Sequence, residues 1–259
     1  CCPPQKDLSG VVKSSHPHPV SESSGYELKG TYEKLGGFEK VYVTGPDDAK
    51  HALVVIYDIF GFWETTLRGA DLLVSHLLLT RPTKIFMPDV YRGKPFPFEK
   101  DGDKDELQKF FAGTAKLSDR LPEVIAFGEY LNKEYESVAI QGYCWGGKVT
   151  LMALSSTLPS QTPFCCGAVV HPALIAPEDG DNLAAPLGFY PSHDEPKEAV
   201  EKIEAAMEIK EFVKKCDYHL YDTVHHGWAA ARANLKDSEN LKQYEDVYQR
   251  LADYYSKQC

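Results

Sequence analysis

The sequence predicts one α/β domain, built on a mostly parallel sheet of about seven or eight strands with helices on both faces. Through most of the chain, short apolar runs alternate with segments whose apolar residues recur at helical spacing. Several of these runs are apolar throughout, which is typical of strands covered on both faces. With 259 residues, of which 43% are hydrophobic, the chain is long enough to bury one large core.

Two parts are expected, an N-terminal arm or tail at residues 1–25 and the α/β domain at residues 26–259. The arm is rich in Ser, Pro, Lys and His and has little to bury, which favours an extended tail. His16 and His18 lie in this arm. We interpret them as solvated side chains rather than as metal ligands.

The domain is predicted to open with a hairpin, because residues 26–32 and 38–44 alternate apolar with polar side chains around a Gly-Gly pair. Residues 52–58 and 84–87 are apolar runs typical of buried strands. Between them, residues 64–80 carry apolar side chains at helical spacing. This order of strand, helix and strand predicts a βαβ unit.

The next stretch, residues 93–103, holds Pro, Phe and Gly and is long for a connection, so we expect it to lie over the mouth of a site. Beyond it, helices are predicted at residues 105–115, 119–134, 197–212 and 237–256, and strands at residues 137–141, 166–170, 185–190 and 216–221.

A glycine-flanked cysteine follows the strand at residues 137–141. The spacing Gly142-x-Cys144-x-Gly146 is that of a nucleophile elbow, G-x-S-x-G, with Cys in place of Ser. The flanking glycines relieve crowding around a strained turn. The helix that begins at Trp145 favours an anion at its start, and the thiolate is the reactive form of cysteine. By itself this pattern also fits an ordinary buried cysteine.

The strand endings complete a catalytic arrangement. In a parallel sheet, catalytic groups gather beyond the carboxyl ends of the strands. The order Cys144, Asp194, His226 is nucleophile, acid and histidine, as in α/β-hydrolases. The backbone N–H groups of Ile59 and Trp145 are the expected oxyanion hole. Three neighbours compete for the acid and histidine roles, and these are His193, Asp222 and His225.

Composition narrows the possible partners. A formal charge of −10 with no basic face argues against nucleic-acid binding. No apolar run reaches the length of a membrane span, and the first residues lack the pattern of a signal peptide. Seven cysteines without framework or C-x-x-C spacing predict reduced thiols and a cytoplasmic location. Cys1 and Cys2 are assigned to the loose tail.

Several segments together resemble the dienelactone hydrolase (carboxymethylenebutenolidase) family of the α/β-hydrolase fold, over about residues 26–255. The start of the chain, Cys1-Cys2-Pro3, and the strand end at residues 170–172 resemble the fungal branch of that family. The segments that carry the family resemblance are Gly142-Tyr143-Cys144-Trp145-Gly146-Gly147, Asp58-Ile59-Phe60-Gly61, Pro88-Asp89-Val90-Tyr91-Arg92-Gly93, the turn at Asp194, and His226-Gly227-Trp228-Ala229.

The resemblance implies hydrolysis of a carboxylate-bearing enol lactone by a Cys-His-Asp triad, without metal or organic cofactor. It implies that Arg92 and Arg232 hold the substrate carboxylate, although Arg232 lies farther after the histidine than in the bacterial pattern. Asp58 stands where the family has the Glu that holds the resting thiol, and is one methylene shorter. His171 is implied either to touch the site or to be structural.

We therefore expect a hydrolase of small lactones or activated esters that acts through a thioester acyl-enzyme. The alternatives are a general carboxylesterase or thioesterase, and a non-catalytic small-molecule binding protein on a hydrolase fold. Reversible oxidation of the thiol is a third, weaker alternative. No nucleic acid or membrane partner is expected, and the sequence leaves monomer and homodimer open.

Overall fold

The computed structural model describes residues 25–258. The predicted arm therefore lies outside the described residues except for its last position, and so do Cys1, Cys2, His16 and His18. Within the described residues, no helix is both long enough and apolar enough to cross a membrane.

One eight-stranded sheet organises the described chain, which confirms the predicted fold class. The spatial order is β1-β2-β4-β3-β5-β6-β7-β8, parallel from β4 to β8, with β1 and β2 antiparallel at one edge. The strands are β1 (Thr31–Leu35), β2 (Phe38–Thr44), β3 (His51–Ile56), β4 (Thr83–Pro88), β5 (Ser137–Tyr143), β6 (Gly167–Val170), β7 (Leu187–Tyr190) and β8 (Asp217–Tyr218).

The helices cover both faces of this sheet. Helix α1 packs against α7, and α3 packs against α4. Their buried faces and the central strands form a single hydrophobic core. The helices are α1 (Glu64–Leu77), α2 (Lys104–Ala112), α3 (Leu117–Leu131), α4 (Trp145–Ala153), the short α5 (Glu178–Asp181), α6 (Lys197–Glu208) and α7 (Ser238–Tyr255).

The first strand begins later than predicted. Residues 26–30 are irregular, because a buried carboxylate takes up their polar groups instead of a neighbouring strand. Asp71 accepts hydrogen bonds from the Tyr26 hydroxyl at 3.2 Å and from the Lys29 backbone N–H at 2.9 Å. The same carboxylate accepts from the Tyr42 hydroxyl at 2.8 Å. Alternation of apolar and polar residues did not reveal this long-range contact.

The strand predicted at residues 216–221 is also shorter, because only Asp217–Tyr218 pairs continuously with β7. Beyond it, Tyr221 makes a single bridge to Ser192. The chain after β7 and the chain after β8 therefore run side by side. This brings residues 192–195 close to residues 221–226.

A chain of buried hydroxyls connects the end of β5 with the segment after β8. The Gln141 amide donates to the Tyr143 hydroxyl at 2.5 Å, and that hydroxyl donates to the Tyr248 hydroxyl at 2.8 Å. Tyr248, on α7, donates in turn to the Ala229 carbonyl at 3.0 Å. Helix α7 thus holds two loops in register at the carboxyl edge of the sheet.

We predict that Tyr248→Phe lowers the free energy of unfolding by about 2–4 kcal/mol, because it leaves the buried Ala229 carbonyl without a donor and the buried Tyr143 hydroxyl without an acceptor. Tyr255→Phe is the matched comparison. It lies on the same helix and removes the hydrogen bond from its hydroxyl to the Ile140 carbonyl, a contact with a strand rather than between two loops. Urea denaturation measures both. An equal or smaller loss in Tyr248→Phe would show that the hydroxyl chain does not join the two loops.

Candidate active site

The predicted elbow is present between β5 and α4. Cys144 has φ 52° and ψ −117°, a strained conformation for a residue with a side chain. A Cβ at Gly142 would lie 2.0 Å from the Gly146 carbonyl oxygen, and a Cβ at Gly146 would lie 2.2 Å from the Ile56 carbonyl oxygen. Both positions therefore require glycine, as the motif predicts.

Backbone hydrogen bonds hold this turn against the loop after β6. The Cys144 N–H donates to the Val170 carbonyl at 3.3 Å, and the Cys144 carbonyl accepts from the Ala173 N–H at 2.9 Å. Cys144 is 8% exposed. The thiol is thus reachable only through a narrow opening.

The ring of His226 lies beside a buried acid. Its Nδ1 is 2.7 Å from Oε1 of Glu195, whose side chain is 1% exposed. The Ser192 N–H donates to Oε2 of the same carboxylate. The Cys144 sulfur also acts on the His226 ring, because it raises the pKa of that ring. His226 therefore interacts with Glu195 and with Cys144, as nucleophilic catalysis requires of a histidine.

The predicted acid, Asp194, does not contact the ring of His226, so this prediction needs correction. Its Oδ2 accepts from the backbone N–H of His226 at 2.8 Å, and its Oδ1 lies 3.2 Å from Nε2 of His193. Asp194 and Glu195 are adjacent, and the sequence offered both acids. Which of the two carboxylates faces the ring depends on the backbone conformation of this turn. The sequence pattern does not predict that conformation.

The three competing residues stand outside this arrangement. Asp222 is exposed, and its carbonyl lies 3.2 Å from Nδ1 of His193. His225 places its Nδ1 2.9 Å from the carbonyl of His226. The ring of His226, by contrast, contacts Glu195.

Electrostatics favour a protonated His226. Burial opposes the charged ring, but the Cys144 sulfur and the Glu195 carboxylate outweigh it and raise the pKa of His226 to about 10. An imidazolium at this place stabilises a thiolate on Cys144.

The two backbone N–H groups predicted to form an oxyanion hole, those of Ile59 and Trp145, have no acceptor among the described residues. Both residues are buried. The loop after β3 is fixed beside Ile59, because the Ile59 carbonyl accepts from the Phe96 N–H at 2.8 Å.

Asp58 joins the two sides of the site through backbone contacts. Its Oδ1 accepts from the Phe60 N–H at 2.8 Å, and its Oδ2 accepts from the Ala231 N–H at 3.0 Å. Burial raises its pKa, and these two hydrogen bonds limit the rise. Within the described residues, none of its hydrogen bonds involves Cys144. The contacts are those of a brace between two loops rather than of a resting place for the thiol.

The two arginines expected to bind a substrate carboxylate both have acidic partners. Arg92 is 51% exposed, and its Nη2 lies 2.9 Å from Glu123. Arg232 lies beside the site, with its guanidinium carbon 5.4 Å from the centre of the Phe60 ring. It forms a two-point contact with Asp101, at 3.0 and 2.6 Å.

His171 is completely buried against the ring of His226. The two rings meet edge to face, with centres 5.1 Å apart. Among the described residues, neither ring nitrogen of His171 has a hydrogen-bond partner. Burial and the charge of His226 hold its pKa well below the usual range. His171 is therefore a neutral packing residue against His226, with no exposed edge to touch a substrate.

Among the described residues, the other cysteines take no part in the contacts given above. Cys166 and Cys216 are free, as is Cys144. Cys165 is disulfide-bonded, so the expectation of reduced cysteines is wrong for that residue. No group of three or more potential metal ligands occurs among residues 25–258.

The sequence of this chain is similar to a known protein family and to individual proteins of other organisms. The model of the dienelactone hydrolase family matches residues 40–258. An AIM2 family protein of Schizosaccharomyces pombe is 29% identical over 264 residues, covering 99% of this chain and 98% of that protein. The human carboxymethylenebutenolidase homolog is 31% identical over 156 residues, covering 58% of each chain.

Solved structures agree in fold. A candidate dienelactone hydrolase from Klebsiella pneumoniae superposes with a TM-score of 0.64 at 15% identity, covering 84% of this chain and 92% of that one. Est1E from Butyrivibrio proteoclasticus gives a TM-score of 0.57 at 12% identity, covering 88% and 100%. At these identities the likeness concerns the fold alone.

We predict that His171→Asn weakens the acid sensitivity of the fold. The folded protein resists protonation of His171, whereas the unfolded chain takes up this proton below about pH 6.5. Stability therefore falls as the pH drops, by up to about 1.4 kcal/mol per pH unit for one such group. In His171→Asn this contribution is absent, so the slope of unfolding free energy between about pH 6.5 and 5 should be smaller.

Urea denaturation at a series of pH values measures this slope. His76→Asn is the control, because His76 is only partly buried near the end of α1. The same slope in His171→Asn and in the parent protein would contradict the account of a buried neutral histidine.

Proposed function

Because this chain belongs to the dienelactone hydrolase family, we propose that it hydrolyses small lactones and activated esters through a Cys144–His226–Glu195 triad. Membership of the family confirms the resemblance predicted from the sequence, and its members are carboxylic ester hydrolases. The observation that carries the proposal is the contact of the His226 ring with the buried Glu195, together with the influence of the Cys144 sulfur on the pKa of the same ring.

In the first half of the reaction, the Cys144 thiolate attacks the carbonyl carbon of the substrate. The negative charge that forms on the carbonyl oxygen is stabilised by the N–H groups of Ile59 and Trp145. The intermediate collapses to a thioester, and the departing oxygen takes the proton of His226. Glu195 keeps the imidazole in the orientation that makes this transfer possible.

In the second half, neutral His226 removes a proton from water, which attacks the thioester carbon. The same two N–H groups stabilise the second tetrahedral intermediate. Its collapse releases the carboxylic acid and restores the thiolate opposite protonated His226. The cycle needs only the residues named here and one water molecule.

The use of cysteine limits the substrates that suit this site. A thiolate is itself readily expelled from the first tetrahedral intermediate, so acylation succeeds when the leaving oxygen departs equally well. Enolates and phenolates meet that condition, whereas amines do not. The low exposure of Cys144 favours compact substrates. Enol lactones and aryl esters are therefore the substrates we propose.

We predict that Cys144→Ala lowers kcat for a small aryl ester by about 1,000-fold or more, because no acyl-enzyme can form. Mass spectrometry after rapid quenching should find the acyl group on Cys144 of the parent protein. Cys216→Ala, which alters a half-buried free thiol, is the control and should keep its activity. Hydrolysis at the parent rate by a folded Cys144→Ala protein would refute the mechanism.

A second pair of variants tests which acid serves His226. Glu195→Gln should lower kcat on the order of 10²- to 10⁴-fold, because the imidazolium loses its buried counter-charge. Asp194→Asn should cost less than about tenfold, because the new side-chain carbonyl still accepts from the His226 N–H. Steady-state kinetics on one aryl ester measure both variants. The opposite ranking would return the catalytic role to Asp194.

A further inference from the structure

Arg232 lies between the two loops that form the site. Its side chain is 21% exposed, and its guanidinium faces the Phe60 ring, one residue after Ile59. Its stem packs over Gly227, where an added Cβ would lie 3.1 Å from Cβ and Cδ of the arginine. Gly227 follows His226 directly. Arg232 is therefore the cation placed to meet a negatively charged group on a bound substrate.

The Arg232 guanidinium is already paired with a carboxylate. Asp101 accepts from Nε of Arg232 at 3.0 Å and from Nη2 at 2.6 Å, which is the geometry an arginine uses to bind a free carboxylate. The Asp101 side chain is only 6% exposed. The ion pair is thus shielded from solvent and little weakened by salt.

The segment at residues 93–103 holds Asp101 in place. The Asp101 N–H donates to the Phe98 carbonyl at 3.0 Å. The Phe98 ring packs against Phe60 and Trp63, with ring centres 4.6 and 4.7 Å away. Moving Asp101 aside would break this aromatic contact as well as the ion pair.

We propose that Asp101 occupies the anion-binding fork of Arg232 and makes this site selective for uncharged esters and lactones. The proposal rests on the proposed hydrolase function and narrows its substrate class, replacing the carboxylate-bearing substrate expected from the sequence. Arg92 is likewise paired with an acid, because its Nη2 lies 2.9 Å from Glu123.

Electrostatics give the reason for the selectivity. A substrate carboxylate that displaced Asp101 would leave a buried carboxylate without its cation, which is costly. A carboxylate that bound beside the intact pair would meet the carboxylates of Asp101 and of the buried Asp58, while the Arg232 guanidinium stays engaged by Asp101. An uncharged group avoids both costs.

The test compares 3-acetoxybenzamide with 3-acetoxybenzoate, two phenyl acetates of nearly equal size that differ in charge. Each kcat/KM is divided by the rate of hydrolysis by hydroxide alone, to remove differences in intrinsic reactivity. In the parent protein we expect the amide to be preferred by about tenfold or more. In Asp101→Asn, this preference should fall by at least about tenfold, mainly through a lower KM for the benzoate.

Two further variants distinguish the effect of the Asp101 charge from a structural effect of the substitution. Asp101→Glu keeps the negative charge and should keep the preference. Asp105→Asn removes an exposed charge a few residues away on α2 and should leave both substrates unaffected. If Asp101→Asn does not fold, the proposal is still tested, because the parent protein and Asp101→Glu must both prefer the amide over the benzoate.

The outcomes also distinguish this inference from the function on which it rests. A parent protein that hydrolyses the benzoate as fast as the amide, or faster, overturns the selectivity and leaves the hydrolase intact. An unchanged preference in folded Asp101→Asn overturns the role of Asp101. Failure to hydrolyse either substrate overturns the proposed function, and the inference with it.

Discussion

The close contact between the end of β5, the cysteine turn and the start of α4 is the constraint on which the site depends. The backbone passes so near to itself that Gly142 and Gly146 have no room for a Cβ. That approach directs Cys144 outward from the sheet and leaves the N–H of Trp145 pointing away from the helix. Each other part of the site is placed relative to this turn.

Three buried carboxylates around the turn each bind a different partner. Glu195 binds the ring of His226, Asp58 binds backbone N–H groups of two loops, and Asp101 binds Arg232. Each carboxylate is buried against a different kind of donor, which is how buried charge is tolerated. The structural role of each carboxylate is set by the group that it binds, more than by its position in the chain.

The sequence was sufficient for features with a local signature. Apolar runs predicted the central strands, and the glycine spacing predicted the turn at Cys144. The strand order placed Cys144 and His226 together. It was insufficient where distant groups compete for the same atoms. Asp71 prevents a strand at residues 26–30, and the choice between Asp194 and Glu195 depends on the course of one turn.

The same limit applies to the arginines and to one cysteine. Spacing placed Arg232 near the site, but only the folded chain brings Asp101 to it from 131 positions away. Likewise, cysteine spacing gave no sign that Cys165 is disulfide-bonded. Sequence patterns identify which charged and reactive side chains are present. Contacts between distant parts of the chain determine which of these side chains are free to bind a substrate.

The hydroxyl chain through Tyr143 and Tyr248 has a consequence for how the protein is made. Cys144 leaves the ribosome well before His226, and Tyr248 on α7 follows both. The hydroxyl chain that joins the loops of Cys144 and His226 passes through α7, so it forms only after this last helix has been made. During synthesis, the two residues are therefore brought together late, when α7 packs onto the rest of the fold.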